Sequence, residues 1–190
     1  METIELASVE EAEDILRLQQ LAYQSEARLY DDWSLPPLTQ TLESLRQEFA
    51  CSIVLKALWD NHLAGSVRAR QEGNLCTVHR LIVHPDYQRR GIGSRLLRAI
   101  EDHFPTAARF ELFTGSQSTS NLRLYQRHGY SITRTQPLSP NVILVFLSKP
   151  ASCSAGSIAA DAGQGGVSGP GGKYPSGGNQ SAVGGSASFV

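Results

Sequence analysis

The segment from residue 75 to residue 105 constrains this chain most, because patterns typical of a strand, a turn, a loop and a helix follow one another there. Apolar residues first form a run of the length of one strand covered on both faces: Leu75, Val78, Leu81, Ile82 and Val83. Pro85 ends the run, since proline fixes its φ angle and lacks the N–H that a strand donates. After a loop, apolar residues recur at helical spacing before Pro105: Leu96, Leu97, Ile100 and Phe104. The segment therefore predicts a buried strand, a loop and an amphipathic helix.

The loop carries two glycines, Gly91 and Gly93, which have no side chains to keep a ligand away. Backbone N–H groups there can point together at an anion, and the following helix adds its first-turn donors and its positive dipole end. A diphosphate suits such a site. The spacing excludes a nucleotide-triphosphate loop, which needs Gly-x-x-x-x-Gly-Lys-Ser/Thr, and a dinucleotide fingerprint, which needs glycine where Leu96 stands. The glycines alone leave open a tight turn that binds nothing.

Two motifs together resemble a known family. The first is Gln88-x-x-Gly91-x-Gly93 between the predicted strand and helix, and the second runs from Asn121 to Tyr130 as Asn-x-x-x-Tyr-x-x-x-Gly-Tyr. In this order, about thirty residues apart, they resemble the signature of the GNAT superfamily of acyl-CoA-dependent N-acetyltransferases, over about residues 2–148. The resemblance implies an α+β fold of three layers, α-β-α, in which helices flank a twisted, mostly antiparallel central sheet.

The resemblance also implies that acetyl-CoA is the co-substrate and that no metal takes part. The loop would bind the pyrophosphate, the backbone of Ile82 and Val83 would pair with the pantetheine arm, and Asn121 would bind that arm or cap its helix. Arg89 and Arg90 would lie nearest the phosphates, although a solvated helix face is the alternative for the basic patch that they form with Arg95 and Arg98. The implied cofactor-binding residues are Ile82, Val83, Gln88, Arg89, Arg90, Gly91, Ile92, Gly93, Ser94 and Asn121.

Direct acetyl transfer needs an acid for the leaving thiolate and a means to deprotonate the amine. The family acid is a tyrosine at the position of Tyr125, which shares a helix face with Asn121; a half-buried core aromatic is the alternative. His79, with an ordinary pKa of ~6.5, is the candidate base, and a core histidine satisfied by a neighbouring strand is the alternative. Glu111 on the adjacent strand is the second candidate base.

Composition favours a cytoplasmic enzyme. The three cysteines, Cys51, Cys76 and Cys153, are far apart, form no metal-binding CxxC pair and suit a reducing compartment. No apolar run reaches the ~20 residues of a membrane span, and the acidic N-terminus predicts no signal peptide. The formal net charge of −1 provides no basic field for nucleic acid.

The rest of the chain supports the mixed fold and suggests a boundary near residue 149. Strands are predicted over 3–6, 52–59, 62–70, 130–135 and 142–147, with helices after Val9 and over 41–49 and a linker from Ala27 to Pro37. Residues 1–149 form the predicted catalytic domain. Residues 150–190 are dominated by Gly, Ser and Ala, which predicts a disordered tail.

These observations predict an N-acetyltransferase that transfers acetyl directly to a primary amine of a small molecule or peptide. The segment from Tyr23 to Leu38 should line the acceptor side, where Glu26, Asp31 and Asp32 suggest a cationic substrate. The alternative is a catalytically silent acyl-CoA-binding sensor or interaction module. The sequence predicts neither a nucleic-acid nor a membrane partner, and it leaves a homodimer open.

Overall fold

The computed structural model describes residues 1–151, and the predicted tail lies outside the described residues from residue 152 onward. The described part contains seven β-strands: β1 (Glu2–Leu6), β2 (Ile53–Trp59), β3 (His62–Glu72), β4 (Leu75–Val83), β5 (Arg109–Gly115), β6 (Ser131–Pro137) and β7 (Ile143–Pro150). It also contains five α-helices: α1 (Ala12–Tyr30), α2 (Pro36–Thr39), α3 (Leu42–Phe49), α4 (Ile92–Asp102) and α5 (Thr119–Arg127).

The seven strands form one sheet in the order β1-β2-β3-β4-β5-β7-β6. Every neighbouring pair is antiparallel except β4 and β5, which run parallel. A parallel pair needs a crossover, and α4 with its preceding loop supplies it. The predicted mixed, mostly antiparallel sheet is confirmed.

The parallel pair opens along its length. Its register runs only from Leu75 opposite Arg109 to Thr77 opposite Glu111, after which the two strands have no pairing within residues 1–151. A register shift against β3 follows in β4, where Arg80 adopts a left-handed φ of 49°. A bulge of this kind bends its strand away from a neighbour. The second half of β4 therefore presents an unpaired edge towards the gap beside β5.

Helices cover both faces of the sheet, as the predicted three-layer architecture requires. On one face, α4 and Tyr125 of α5 share a core with β2, β3 and β4. On the other face, Ile15 and Leu16 of α1 pack with Leu45 of α3 and Val54 of β2. Each layer removes apolar surface from water, so the sheet is the centre of the fold.

The predicted start of the linker after α1 is wrong. Helix α1 continues through Tyr30, so the segment predicted as a linker from Ala27 is helical for its first turn. Both Ala27 and Tyr30 are buried, and this tertiary packing outweighs the turn-like composition that follows them. Strand β7 runs to Pro150, one residue beyond the predicted domain boundary at 149.

A buried polar network joins the second face of the sheet to its helices. Arg68 of β3 is 1% exposed, and its Nη1 donates to Glu48 Oε2 at 2.6 Å. Its Nη2 donates to Gln19 Oε1, and Gln19 Nε2 donates to Gln40 Oε1 at 2.9 Å and to the carbonyl of Pro37 at 2.8 Å. The network thus ties α1, α2 and α3 to the two Nη atoms of one arginine, because a buried charge needs polar partners.

Removing the carboxylate of Glu48 should destabilise the fold, since it leaves the buried charge of Arg68 without its counter-ion. Glu48→Ala should lower the free energy of unfolding by about 2 kcal/mol, between the values typical of exposed and of fully buried pairs. Urea unfolding measures the change. The control Glu43→Ala removes an exposed carboxylate from the same helix and should change stability by less than about 0.5 kcal/mol; an equal loss in both variants would contradict this role of Glu48.

Candidate functional site

A groove of about 850 Å³ lies where β4 leaves β5. Its walls come from α1, the end of β4, the loop before α4, and the start of α5. Nine of the ten predicted cofactor-binding residues line it: Ile82, Val83, Gln88, Arg89, Gly91, Ile92, Gly93, Ser94 and Asn121. The structure therefore brings together residues that are up to 39 positions apart in the sequence.

The tenth predicted residue, Arg90, is not among the lining residues. Its guanidinium lies over the rings of Trp59 and Tyr87, at 5.1 and 5.5 Å from their centroids. Cation–π contacts of this kind hold the side chain away from a phosphate position. Arg89 is the loop arginine that lines the groove.

The loop before α4 presents its backbone donors to the groove. Arg89 has a φ of 61° and Gly91 a φ of 81°, which brings the chain into the first turn of α4 with Gly91 as the N-cap. The backbone N–H groups of residues 89–94 donate no hydrogen bond to any atom of residues 1–151. Such a row at a helix N-terminus, with the positive end of the helix dipole behind it, is an anion-binding arrangement.

The two loop glycines are required for different reasons. Gly91 adopts the left-handed conformation that costs other residues energy. Gly93 has an ordinary backbone, and a Cβ there would lie at 3.5 Å from Leu124 Cδ2 and 3.7 Å from Val83 Cγ2, which are normal contacts. The packing of the protein therefore accepts a side chain at Gly93, and the space left there is available to a ligand.

Asn121 lies inside α5 rather than at its start. The helix begins at Thr119 with Ser118 as the N-cap, so the predicted capping alternative for Asn121 is wrong. Its Nδ2 donates to Thr114 Oγ1 at 3.4 Å, and its side chain lines the groove. Of the two roles predicted for Asn121, binding the arm of a cofactor in the groove stays a prediction.

Tyr125 is on α5, one turn after Asn121, but it is only 1% exposed and is not among the lining residues. Its ring packs edge-on against Tyr130, with centroids 6.1 Å apart. Burial raises the pKa of Tyr125 well above its ordinary range, and the nearby Tyr23 and Glu26 raise that pKa further. The phenol therefore keeps its proton at neutral pH.

His79 lies opposite Arg68 in the register of β3 and β4. Burial lowers the pKa of His79 to about 3, helped by the positive charges of Arg70, Arg68 and Arg80. Its Nδ1 is buried and makes no hydrogen bond within residues 1–151. The ordinary pKa of ~6.5, which made His79 a candidate base, therefore does not apply at this site. An imidazole with a pKa of about 3 is a weak base.

The second candidate base, Glu111, also lies away from the groove. Its Oε1 pairs with Nη2 of Arg109 at 3.3 Å, and it is not among the lining residues. It stands at the last register position that β4 and β5 share, before the groove opens.

One wall of the groove comes from α1, within the segment from Tyr23 to Leu38 that the sequence analysis assigned to an acceptor. Tyr23, Glu26 and Leu29 line the groove, whereas the acidic residues Asp31 and Asp32 do not. Opposite them, Gln117 and Ser118 precede α5, and the sequence analysis missed both. A serine before a helical pattern predicts a cap, but not that the cap faces α1.

The low pKa of His79 makes the stability of the fold depend on pH. Below pH ~6.5 the unfolded chain protonates this imidazole and the folded protein does not, so acid favours unfolding down to about pH 3. Between pH 7 and pH 5, the ring should cost up to about 2 kcal/mol of unfolding free energy. Urea unfolding at both pH values should show that His79→Asn has the shallower dependence.

His62→Asn removes an exposed imidazole from β3 and is the control. It should change the pH dependence of stability far less than His79→Asn. Equal effects of the two variants would show that His79 is not the buried group responsible.

Residues 1–151 contain neither a metal-binding cluster nor a membrane-spanning helix. Among residues 1–151, no three His, Cys, Asp or Glu side chains lie together in the way that a metal ion requires. Over the same range, no helix has the combination of length and apolarity needed to cross a bilayer.

Comparison with known proteins gives one family and a common fold. A model of the acetyltransferase (GNAT) family matches residues 12–130. The UPF0157 protein YqkA of Bacillus subtilis (strain 168) is 26% identical over 133 residues, which make up 70% of this chain and 38% of that protein. The chain thus spans well under half the length of this relative.

Solved acetyltransferases share the architecture at low identity. The ribosomal-protein-S18-alanine N-acetyltransferase of Escherichia coli is 16% identical, with a TM-score of 0.66 over 84% of this chain and 100% of that chain. PaiA N-acetyltransferase of Thermoplasma acidophilum, solved with coenzyme A, is 17% identical, with a TM-score of 0.63 over 77% and 98%. A GNAT family acetyltransferase of Elizabethkingia anophelis with acetyl-CoA bound is 18% identical, with a TM-score of 0.58 over 78% and 97%.

The family model covers more than half of the chain, including β4, the glycine loop and α5. The solved structures share its fold of a mostly antiparallel sheet between helices. The chain therefore belongs to the GNAT family of acetyltransferases.

Proposed function

We propose that this protein is an N-acetyltransferase that transfers acetyl directly from acetyl-CoA to a primary amine of a small molecule or a peptide. The observation that carries the proposal is the row of unpaired backbone N–H groups from residue 89 to residue 94, in a loop and helix start that line a groove of about 850 Å³. A diphosphate is the ligand that such a row at a helix start binds best.

The residues present fit acetyl-CoA along its length. The N–H groups of the loop and the start of α4 would hold the diphosphate, with Arg89 beside it. The unpaired edge of β4 after Thr77 offers backbone donors and acceptors to an amide-containing arm, as a neighbouring strand would. The similar acetyltransferases from T. acidophilum and E. anophelis were solved with coenzyme A and acetyl-CoA respectively, which supports this cofactor.

Acetyl transfer needs an activated acetyl group, an acceptor placed beside it and an acid for the departing sulfur. The bound thioester supplies an activated acetyl group. The groove brings the acceptor to that group, since α1 and the start of α5 face each other across it. Tyr125 keeps its proton at neutral pH, because burial raises the pKa of the phenol, and we assign it as the acid that protonates the departing sulfur.

One observation favours the second candidate, an acyl-CoA-binding sensor without turnover. Tyr125 is buried and is not among the residues that line the groove. Release of free thiol from acetyl-CoA, measured with a panel of amines, amino acids and peptides, separates the two functions. The enzyme releases thiol only when an acceptor is present, whereas the sensor binds acetyl-CoA and releases none with any of them.

A bulky side chain at Gly93 should block the cofactor. Acetyl-CoA should raise the melting temperature of the wild type by binding the folded state, and Gly93→Val should abolish that rise. The fold should persist, because a Cβ at this position meets its neighbours at ordinary distances. Thermal unfolding with and without acetyl-CoA measures both effects. The control Asp102→Val places the same side chain at the exposed end of α4 and should keep the full rise; a full rise in Gly93→Val would exclude the loop as the cofactor site.

Tyr125→Phe deletes the proposed acid and keeps the ring. Turnover should fall by about 10²–10⁴ if proton transfer limits the rate, while the thermal shift with acetyl-CoA should stay unchanged. Steady-state kinetics and thermal unfolding measure the two quantities.

Tyr130→Phe is the matched control for this substitution, because its ring packs edge-on against Tyr125 and its hydroxyl donates to Glu101 Oε1 at 2.8 Å. It should lose stability and keep its turnover number. Wild-type turnover in Tyr125→Phe would make that tyrosine a packing residue.

A further inference from the structure

The groove is lined by the carboxylate of Glu26, which has no part in the acetyl transfer described so far. Glu26 of α1 lines the groove three residues after Tyr23, so both side chains are on the same face of the helix. Its Oε2 accepts a hydrogen bond from the hydroxyl of Ser118. Within residues 1–151 its Oε1 accepts no hydrogen bond, and no Lys, Arg or His side chain forms an ion pair with this carboxylate. Glu26 therefore offers one oxygen atom and one negative charge to the groove.

The position of Glu26 is fixed from the opposite wall. Ser118 caps α5, and its Oγ lies 3.4 Å from the hydroxyl of Tyr30. That hydroxyl also accepts the backbone N–H of Gln117 at 2.7 Å. Tyr30 reaches this place because Gly115 has no side chain: a Cβ there would lie 2.1 Å from the tyrosine oxygen. The carboxylate is thus held by a preorganised set of contacts between α1 and α5 rather than on a mobile side chain.

Glu26 also lies close to the proposed acid. Its charge raises the pKa of Tyr125 and that of Tyr23, so it acts on both phenols. Burial raises the pKa of Glu26 itself, and the hydrogen bond from Ser118 opposes the rise. The Tyr23 hydroxyl is buried and belongs to a groove-lining residue, and the guanidinium of Arg80 lies near its ring. The carboxylate of Glu26 and the phenol of Tyr23 therefore lie at one end of the groove, and the buried phenol of Tyr125 lies behind its wall.

We infer that Glu26 is the catalytic residue that receives the acceptor, its Oε1 pairing with the acceptor's ammonium group and removing a proton from it. This inference rests on the proposed function and narrows the acceptor to an amine that arrives as a cation. Charge complementarity supports it, because an ammonium beside an unpaired, half-buried carboxylate replaces lost hydration with a charge-assisted hydrogen bond. His79, the base that the sequence predicted, is too weak a base to compete.

The step balances in atoms and charge. The ammonium gives one proton to Glu26, which passes it to solvent. The nitrogen lone pair then forms the C–N bond with the acetyl carbon as the C–S bond breaks and its electron pair leaves on sulfur. Tyr125 gives its proton to the sulfur, and the second proton lost by the nitrogen returns to the Tyr125 oxygen through water. The products are the acetylated amine, the free thiol and one proton.

Glu26→Gln tests the inference, because the amide oxygen can still accept the Ser118 hydrogen bond while the charge is lost. Asp31→Asn is the matched control: it removes an exposed carboxylate near the end of α1 that does not line the groove, and asparagine tolerates the left-handed φ of 49° found there. Two quantities are measured on the full-length protein saturated with coenzyme A or acetyl-CoA. The first is calorimetric binding of n-hexylamine and of its neutral analogue 1-hexanol. The second is kcat/KM for the best acceptor in the amine panel.

The wild type should bind the amine at least 10-fold more tightly than the alcohol, and Glu26→Gln should lose that preference while binding the alcohol as before. Its kcat/KM should fall at least 100-fold, its thermal shift with coenzyme A should be unchanged, and Asp31→Asn should match the wild type throughout. The inference is overturned if Glu26→Gln keeps the amine preference, if Asp31→Asn loses it equally, or if Glu26→Gln loses the coenzyme A shift. Failure of the proposed function has a different signature, namely a wild type that binds coenzyme A but acetylates no amine.

Discussion

The separation of β4 from β5 is the constraint on which the rest of the site depends. Two parallel strands that begin as neighbours stop pairing after Thr77 and Glu111, and the bulge at Arg80 turns β4 away. A sheet normally satisfies its backbone groups by pairing, so a strand that opens in the middle of a sheet needs another partner for that edge. The groove lies along this unpaired edge of β4, and the loop before α4, the start of α4 and α5 surround the groove.

The two ends of the groove differ in the groups that they offer to a ligand. At the loop before α4, backbone N–H groups and a helix dipole provide a positive potential without charged side chains, and Gly93 leaves space for a ligand. At the other end, the carboxylate of Glu26 and the phenol of Tyr23 line the groove, and the phenol of Tyr125 is buried behind them. A ligand that is anionic at one end and meets a cationic acceptor at the other matches this division.

Contacts on the second face of the sheet hold the α1 wall of the groove in place. Arg68 is buried against α1, α2 and α3, where Glu48 pairs with its charge and Gln19 accepts a hydrogen bond from its Nη2. Burial lowers the pKa of the neighbouring His79, and the charge of Arg68 contributes to that shift. Helix α1, which carries Tyr23 and Glu26 into the groove, is thus anchored on one side by a polar network and on the other by the Ser118 contacts.

The sequence by itself determined the elements and the loop chemistry, because these depend on local patterns: apolar spacing for β4 and α4, and glycine positions for the anion site. It also identified nine residues that line the groove, and a segment of α1 that contributes to its wall. Only the tertiary structure decided the side-chain environments. The pKa of His79 depends on arginines brought in from β3 and on burial, and the stacking of Arg90 depends on Trp59, thirty-one residues away. The contact between Glu26 and Ser118 joins residues 92 positions apart, and no local pattern encodes a distance of that kind.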